Sequence, residues 1–327
     1  MASIPSLPRS LLLPLLAFLL IYAHIPLVDV LQTADPAPVP SQWKRRLVAV
    51  GDIHGDYANA VKVLGILGVA DPAGTEDVKW TGGKTVLVQT GDIVDRGIDT
   101  IKLYKMFDSL YKQARDAGGQ VINLYGNHEL MNFHGDWRYV LQKEIDTFGG
   151  VEARKKAWLP GGFIHNQLSP RYNATTIAHS TLFSHGDMHP MWASVGLDEV
   201  NKRVSASVMD PTDDQKYKDP VLHDKGPLWY RGHAQGKNEK EVCDNVKKTL
   251  EGFKVSRIVS GHTAQYETGR ILSRCNGAYV LIDTGISSYY GGHLSGLEIV
   301  DYEEQDGKVH TYVYAVYPNS RELISKS

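Results

Sequence analysis

From Leu47 onward the chain repeats one pattern: a short apolar, β-branched run stops abruptly at glycine, aspartate or histidine. "LVAV" meets "GDIHGD", "TVLVQT" meets "GDIVDRG", and "VINLY" meets "GNHE". Later "STLFS" meets "HGD", "VSRIVS" meets "GHT", and "AYVLI" meets "DTG". Runs of four to six such residues bounded by Gly and Asp predict buried strands. The periodicity between them changes to that of helices. "YANAVKVLGIL" follows the first strand, and "DTIKLYKMFDSLYKQARDAGG" follows the second. The latter sets Ile101, Tyr104, Leu110 and Ala114 on one stripe, with Gly118-Gly119 as its stop. "EVCDNVKKTLEGF" places Val242, Val246 and Leu250 at i, i+4 and i+8 ahead of the fifth strand.

Strands alternating with helices predict a layered α/β protein, in which ligands collect at the carboxyl ends of the strands. Each polar motif stands at such an end, so all of them can converge on one edge. Glycine there lets the backbone turn where other residues resist. Two longer stretches, Met131 to Thr181 and Met188 to Lys254, are the expected insertions that cap and shape the site.

The ends of the chain read differently. Leu11 to Ala23 is continuously apolar behind a start with one arginine and no acid, which predicts a signal peptide or uncleaved signal anchor over 1–33. A Pro-rich linker is expected over 34–46, one folded domain over 47–318, and a tail over 319–327. The expectation is entry into the secretory pathway, with secretion or a lumenal location, or anchoring by the uncleaved segment. In that setting the "NAT" at Asn173 is a glycosylation acceptor, and Cys243 and Cys275 either pair or stand as two separate thiols.

Composition narrows the partners. The 327 residues are 42% hydrophobic and 22% charged, an ordinary globular balance. Thirty-five Lys and Arg against 37 Asp and Glu give a net charge of −2, which makes no electrostatic case for nucleic acid or an anionic membrane. A monomer is expected, with no membrane contact beyond the N-terminal segment.

The candidate chemistry lies in the strand-end residues. Asp52, His54, Asp92, Asn127, His185 and His262 offer carboxylates, imidazoles and one amide oxygen. That set suits Mn²⁺, Fe²⁺ or Zn²⁺. Six protein ligands are too many for one ion that keeps an open position, and suit two ions sharing a carboxylate. A metal pair favours phosphate-ester hydrolysis, because attacking and leaving oxygens are both stabilised. His128 can face a leaving group, and Asp95 and Arg96 follow Asp92 closely; Arg offers donors matched to a phosphoryl group. His134, His165, His179, His189, His223 and His233 match no strand end and read as non-ligands. Met131 and Trp137 read as packing residues, and Asp187 as a turn residue or as a support behind His185.

In this order, "GDIHG", "GDIVDRG", "GNHE", a lone "HG" and a lone "GH" resemble the phosphoprotein phosphatase family of metallophosphoesterases, from about Leu47 to Gly292. "GNHELMNFHGDWRYV" and "DTGISSYYGG" are most similar to its Shewanella-like branch. The resemblance implies a calcineurin-like fold of two mixed β-sheets sandwiched between helices. It also implies a metal-bound hydroxide attacking phosphorus in line. Asp52, His54 and His262 would hold one metal, Asn127 and His185 the other, and Asp92 would bridge. His128 would act as general acid with Asp95 orienting its ring, Arg96 would clamp the phosphoryl group, and Arg231 in "LWYRG" would be a second clamp. Asn127 would also lie within reach of the substrate.

One departure stands out: Asp187 replaces the second glycine of the family's usual "HGG". The resemblance implies a phosphoprotein substrate carrying phosphotyrosine, phosphoserine or phosphothreonine. Two alternatives remain: a small-molecule phosphoesterase such as a symmetrical dinucleoside tetraphosphate hydrolase, and a binding module on an inactive scaffold.

Overall fold

A computed structural model describes residues 43–71, 78–168, 170–211 and 218–327. The expected leader, 1–33, and the linker up to residue 42 lie outside them. Among the described residues no helix is long and apolar enough to cross a membrane.

All six expected strands form. β1 (Arg45–Val50), β2 (Val86–Gln89) and β3 (Gln120–Asn123) run parallel in one sheet. In a second sheet β4 (Thr175–Ala178) precedes β5 (Thr181–Ser184) and β6 (Arg257–Ser260), which are parallel. β7 (Leu272–Arg274) then leads into β8 (Tyr279–Leu281), parallel to β6. Three further strands, β9 (Gly296–Glu303), β10 (Val309–Tyr317) and β11 (Ser320–Lys326), extend the first sheet antiparallel from β1. The orders are β11-β10-β9-β1-β2-β3 and β4-β5-β6-β8-β7.

β1 shows how the sandwich is built. Leu47 to Val50 are all fully buried. Alternate residues point to opposite faces of a strand. Leu47 and Ala49 therefore pack between the sheets with Val88, Phe183, Val259, Val280 and Leu297. Val48 and Val50 pack outward against Ala60 and Leu64 of helix Tyr57–Ile66 and Leu103, Phe107 and Leu110 of helix Thr100–Asp116. Fully apolar runs are what a strand covered on both faces requires. The predicted helix stripes hold, except that Ile101 and Leu250 are only half-buried.

Two expected boundaries are corrected. Arg45 and Arg46 belong to β1 rather than the linker, because acids on β9 receive them: Arg45 Nε donates to Asp301 at 2.7 Å and Arg46 Nε to Glu298 at 2.6 Å. Residues 320–326 form the edge strand β11 rather than a tail. Arg321 donates to Glu298 at 2.6 Å and lies over the Tyr314 ring at 3.4 Å. An edge strand with one solvated face is rich in charge, and so resembles a tail in sequence.

The longer stretches carry the insertions. Helices Gln142–Thr147, Val151–Trp158 and Phe163–Leu168 occupy the first, and helices Leu197–Met209, Gly232–Gln235 and Glu239–Phe253 the second. Cys243 and Cys275 form a disulfide joining the last helix to the turn after β7.

Candidate functional site

Six parallel strands, three from each sheet, direct their carboxyl ends to one place. Asp52 follows β1, Asp92 β2, Asn127 β3, His185 β5, His262 β6 and Asp283 β8. The turns are tight enough to hold ordinary side chains in left-handed backbone: His54 at φ 46°, Asp92 at 53°, Asp95 at 67°, Arg96 at 65° and His262 at 70°. Each such residue costs on the order of 1–3 kcal/mol, a price that clusters at functional sites. Glycine is required where backbones and ligands crowd. A Cβ on Gly126 would stand 2.0 Å from Asp92 Oδ1, and one on Gly261 2.4 Å from Asp52 Oδ1.

The imidazoles are oriented by carbonyls. His54 Nδ1–H donates to Val94 O at 3.0 Å, and His185 Nδ1–H to Thr90 O at 2.9 Å, so each turns Nε2 into the site. His262 is inverted: Nε2–H donates to Trp229 O at 3.2 Å, and Nδ1 faces inward. Anchoring the outer nitrogen in this way fixes the tautomer that a metal ligand needs. His185 Nε2 then lies 3.1 Å from His262 Nδ1, 2.9 Å from Asn127 Oδ1 and 3.3 Å from Asp92 Oδ2. These four atoms present lone pairs to one another. His54 Nε2 stands on the other side of Asp92, 3.6 Å from its Oδ2 and 3.9 Å from Asp52 Oδ2. Buried acceptors facing acceptors are costly unless a cation lies among them, so the donor set fits the divalent ions of this chemistry.

This geometry corrects one assignment. His262 stands with Asn127 and His185, not with Asp52 and His54. Only its backbone N–H reaches Asp52, at 3.1 and 3.2 Å from the two oxygens. Spacing could not show this, because the left-handed turn after β6 rotates the ring away from Asp52.

Electrostatics agree. Burial, with Asp283 and Asp92 nearby, holds Asp52 well above the usual carboxylate range. Asp92 is buried too, but His185, His128 and His54 hold it well below that range. Burial pushes His54 down to about 4. Burial opposes charging of His128, yet Asp92 and Asp95 raise it above its ordinary value.

A cavity of about 130 Å³ opens over these donors. His128, Arg96 and Arg231 line it, with Tyr139, Trp229 and Tyr290 as aromatic wall. His128 Nδ1–H donates to Asp95 Oδ2 at 2.6 Å and leaves Nε2 3.8 Å from Asp92 Oδ2. The Arg96 guanidinium stacks on Tyr139 at 3.9 Å and donates to Tyr289 Oη at 3.2 Å. Arg231 donates to His262 O at 2.5 Å and Thr263 Oγ1 at 3.0 Å. His134, His165, His179, His189, His223 and His233 lie outside the lining.

Two residues with site roles escaped the sequence reading. Asp283 is buried and lines the cavity; the "DTG" after the sixth strand was its signal. Glu129, within "GNHE", accepts backbone N–H bonds from Gly126 at 2.7 Å and from Asp92 and Ile93 at 2.8 Å. It thereby ties the β2 and β3 turns together.

A two-sheet α/β sandwich with Asp, His and Asn converging at its strand ends defines a metal-dependent phosphoesterase. The model for calcineurin-like phosphoesterases matches residues 45–266, and the chain belongs to that metallophosphoesterase family. It is a hydrolase acting on phosphate esters. An uncharacterised protein of Schizosaccharomyces pombe is 42% identical over 77% of this chain and 76% of its own. Shewanella-like protein phosphatase 1 of Plasmodium berghei is 32% identical, covering 76% and 69%. Shewanella-like protein phosphatase 2 of Arabidopsis thaliana is 27% identical, covering 85% and 79%. The cold-active protein-tyrosine phosphatase of a psychrophilic Shewanella species superposes with a TM-score of 0.70 at 27% identity, covering 86% and 80%.

Proposed function

We propose that the protein is a phosphoprotein phosphatase with a dinuclear centre, and that phosphotyrosine is the substrate its rim fits best. One observation carries the reading: two arginines and His128 face the same cavity that His54, Asp92, Asn127 and His262 line. Asp52, His54 and Asp92 would hold one divalent cation, and Asp92, Asn127, His185 and His262 the other, with Mn²⁺, Fe²⁺ or Zn²⁺ suited to the donors. Such cations supply Lewis acidity and an acidified water.

The chain's own residues do the rest. Arg96 and Arg231 present guanidinium forks to the phosphoryl oxygens. The stack on Tyr139 keeps Arg96 from collapsing onto the carboxylates. Asp95 takes the Nδ1 proton of His128 into a hydrogen bond, so that Nε2 carries the proton delivered to the leaving oxygen. Tyr139 and Tyr290 offer flat faces to an aryl leaving group. A dinucleoside polyphosphate would need further basic groups for its extra phosphates, and this lining contains only the two arginines.

The test compares phosphotyrosine peptides, phosphoserine and phosphothreonine peptides, and diadenosine tetraphosphate on the metal-loaded protein. Preference for the first supports the reading, and preference for the nucleotide replaces it. We also propose the secretory pathway as the location. The Cys243–Cys275 disulfide and the exposed Asn173 of the "NAT" acceptor support it. An intact Met1 on the mature protein would rule out cleavage of the leader.

A further inference from the structure

Asp187 stands where the resembled family has glycine, yet its side chain and backbone N–H take part in five hydrogen bonds. It is 1% exposed and has no basic partner among its hydrogen bonds. A buried carboxylate is costly unless its oxygens are satisfied, and here they are. Oδ1 accepts from Ser260 Oγ at 2.9 Å and Tyr279 Oη at 2.6 Å. Oδ2 accepts the backbone N–H groups of His233 at 2.7 Å and Ala234 at 2.9 Å. Its own backbone N–H donates to Tyr230 O at 2.7 Å. The residue therefore grips the main chain one residue before Arg231 and two and three residues after it.

The far side of the same segment is held as well. Arg274 donates to His233 O at 2.7 Å and Gly236 O at 2.9 Å, and the neighbouring Cys275 is in the disulfide. Glycine at 187 could supply the backbone contact to Tyr230 but none of the four side-chain bonds.

We propose that Asp187 is a positioning residue for phosphoryl binding: by clasping residues 230 and 233–234 it sets where the Arg231 guanidinium meets the substrate. The inference rests on the reading of Arg231 as a phosphoryl clamp. It also explains why a carboxylate is tolerated two residues beyond His185: Oδ2 points toward the Arg231 segment and Oδ1 toward the Ser260 and Tyr279 hydroxyls.

The experiment is a double-mutant cycle on the metal-loaded protein with Asp187→Asn, Arg231→Ala and the pair. It measures kcat and KM for an aryl phosphate, the inhibition constant of inorganic phosphate, and metal content. Asp187→Asn should raise KM and the phosphate inhibition constant about ten-fold, the scale of one lost charged hydrogen bond, with metal content unchanged. In the Arg231→Ala background the same change should do nothing further, because residues acting through one another are not additive. Equal effects in both backgrounds, no effect in the parent, or loss of metal would overturn the proposal. If Arg231→Ala alone leaves KM and phosphate inhibition unchanged, the clamp reading itself fails, a separate outcome. Should Asp187→Asn not fold, Tyr279→Phe removes one of the four bonds and should raise the same two constants with the same non-additivity.

Discussion

His128 Nδ1 and Asp95 Oδ2 are 2.6 Å apart in a pocket where both side chains are buried, which fixes the imidazole with Nε2 toward the cavity. A general acid held in this way contributes typically about 10²–10⁴-fold. His128→Ala should lower kcat by that order while both metals remain bound, as measured by elemental analysis beside turnover. Asp95→Asn should lower kcat less. Metal loss in His128→Ala would make the residue a ligand instead.

Asp95 is itself supported from the first insertion. Asn132 Nδ2 donates to Asp95 Oδ1 at 2.9 Å, and Arg154 donates to Asn132 Oδ1 at 2.7 Å and to Glu144 at 2.6 Å. Arg154 and Glu144 are fully buried. Removing one member of a buried pair strands the other, at a cost of about 3–5 kcal/mol. Arg154→Leu should lower the unfolding free energy by that amount in a urea titration. A loss below about 1 kcal/mol would show that Glu144 finds another partner.

What could be read from the chain follows from burial. The strands ending in the site are covered on both faces, so they appear as uninterrupted apolar runs stopped by Gly-Asp or by His, and six of the donors follow directly. β9 and β11 mix charged with apolar residues, β10 is largely tyrosine and valine, and β11 in particular looks like solvent-exposed chain. Residues whose role depends on a turn's handedness stayed hidden. His262 shares a sequence signature with the other candidate ligands, but its side of Asp92 depends on a φ of 70°. Tyr139 reaches Arg96 only because the first insertion folds back over the β2 turn, donating nothing a spacing could reveal. Asp283 carried the right signal at the right strand end, and its role emerged only from its neighbours.

Asp92 stands between the inward-facing nitrogens on both sides, with His54 at 3.6 Å and His185 at 3.3 Å. Asp92→Asn removes the charge that the two proposed cation positions would share while keeping the shape. Turnover should be abolished and metal content should fall. A variant that keeps near-parental rate would end the bridging assignment.

The Cys243–Cys275 link closes a loop with a sequence separation of 32. Constraint of the unfolded chain by a loop of that length is worth about 3–4 kcal/mol. The double variant Cys243→Ser, Cys275→Ser should lose that much stability in urea. An unchanged midpoint would show that Arg274 and its carbonyl partners hold the segment alone.

Cation binding between pH 5 and 7 should depend on pH through the buried Asp52–Asp283 pair rather than through His54. Burial pushes Asp283 up to about 6, and burial with Asp283 and Asp92 nearby holds Asp52 well above its ordinary range. His54 is pushed down to about 4 by burial. In chelator-treated protein near pH 5, then, His54 is already neutral and ready to ligate, while the Asp52–Asp283 pair, with Asp283 at about 6, still holds a proton that a cation on Asp52 must displace. Ligands must be deprotonated to bind metal, so binding releases that proton. The sign follows: affinity should rise as pH increases from 5 through about 6. Calorimetric titration with Mn²⁺ in buffers of different ionisation enthalpy counts the protons released, and Asp283→Asn should release fewer. Were affinity flat from pH 5 to 7 and dependent only below about 4, imidazole protonation would be limiting and the carboxylates would bind as free anions.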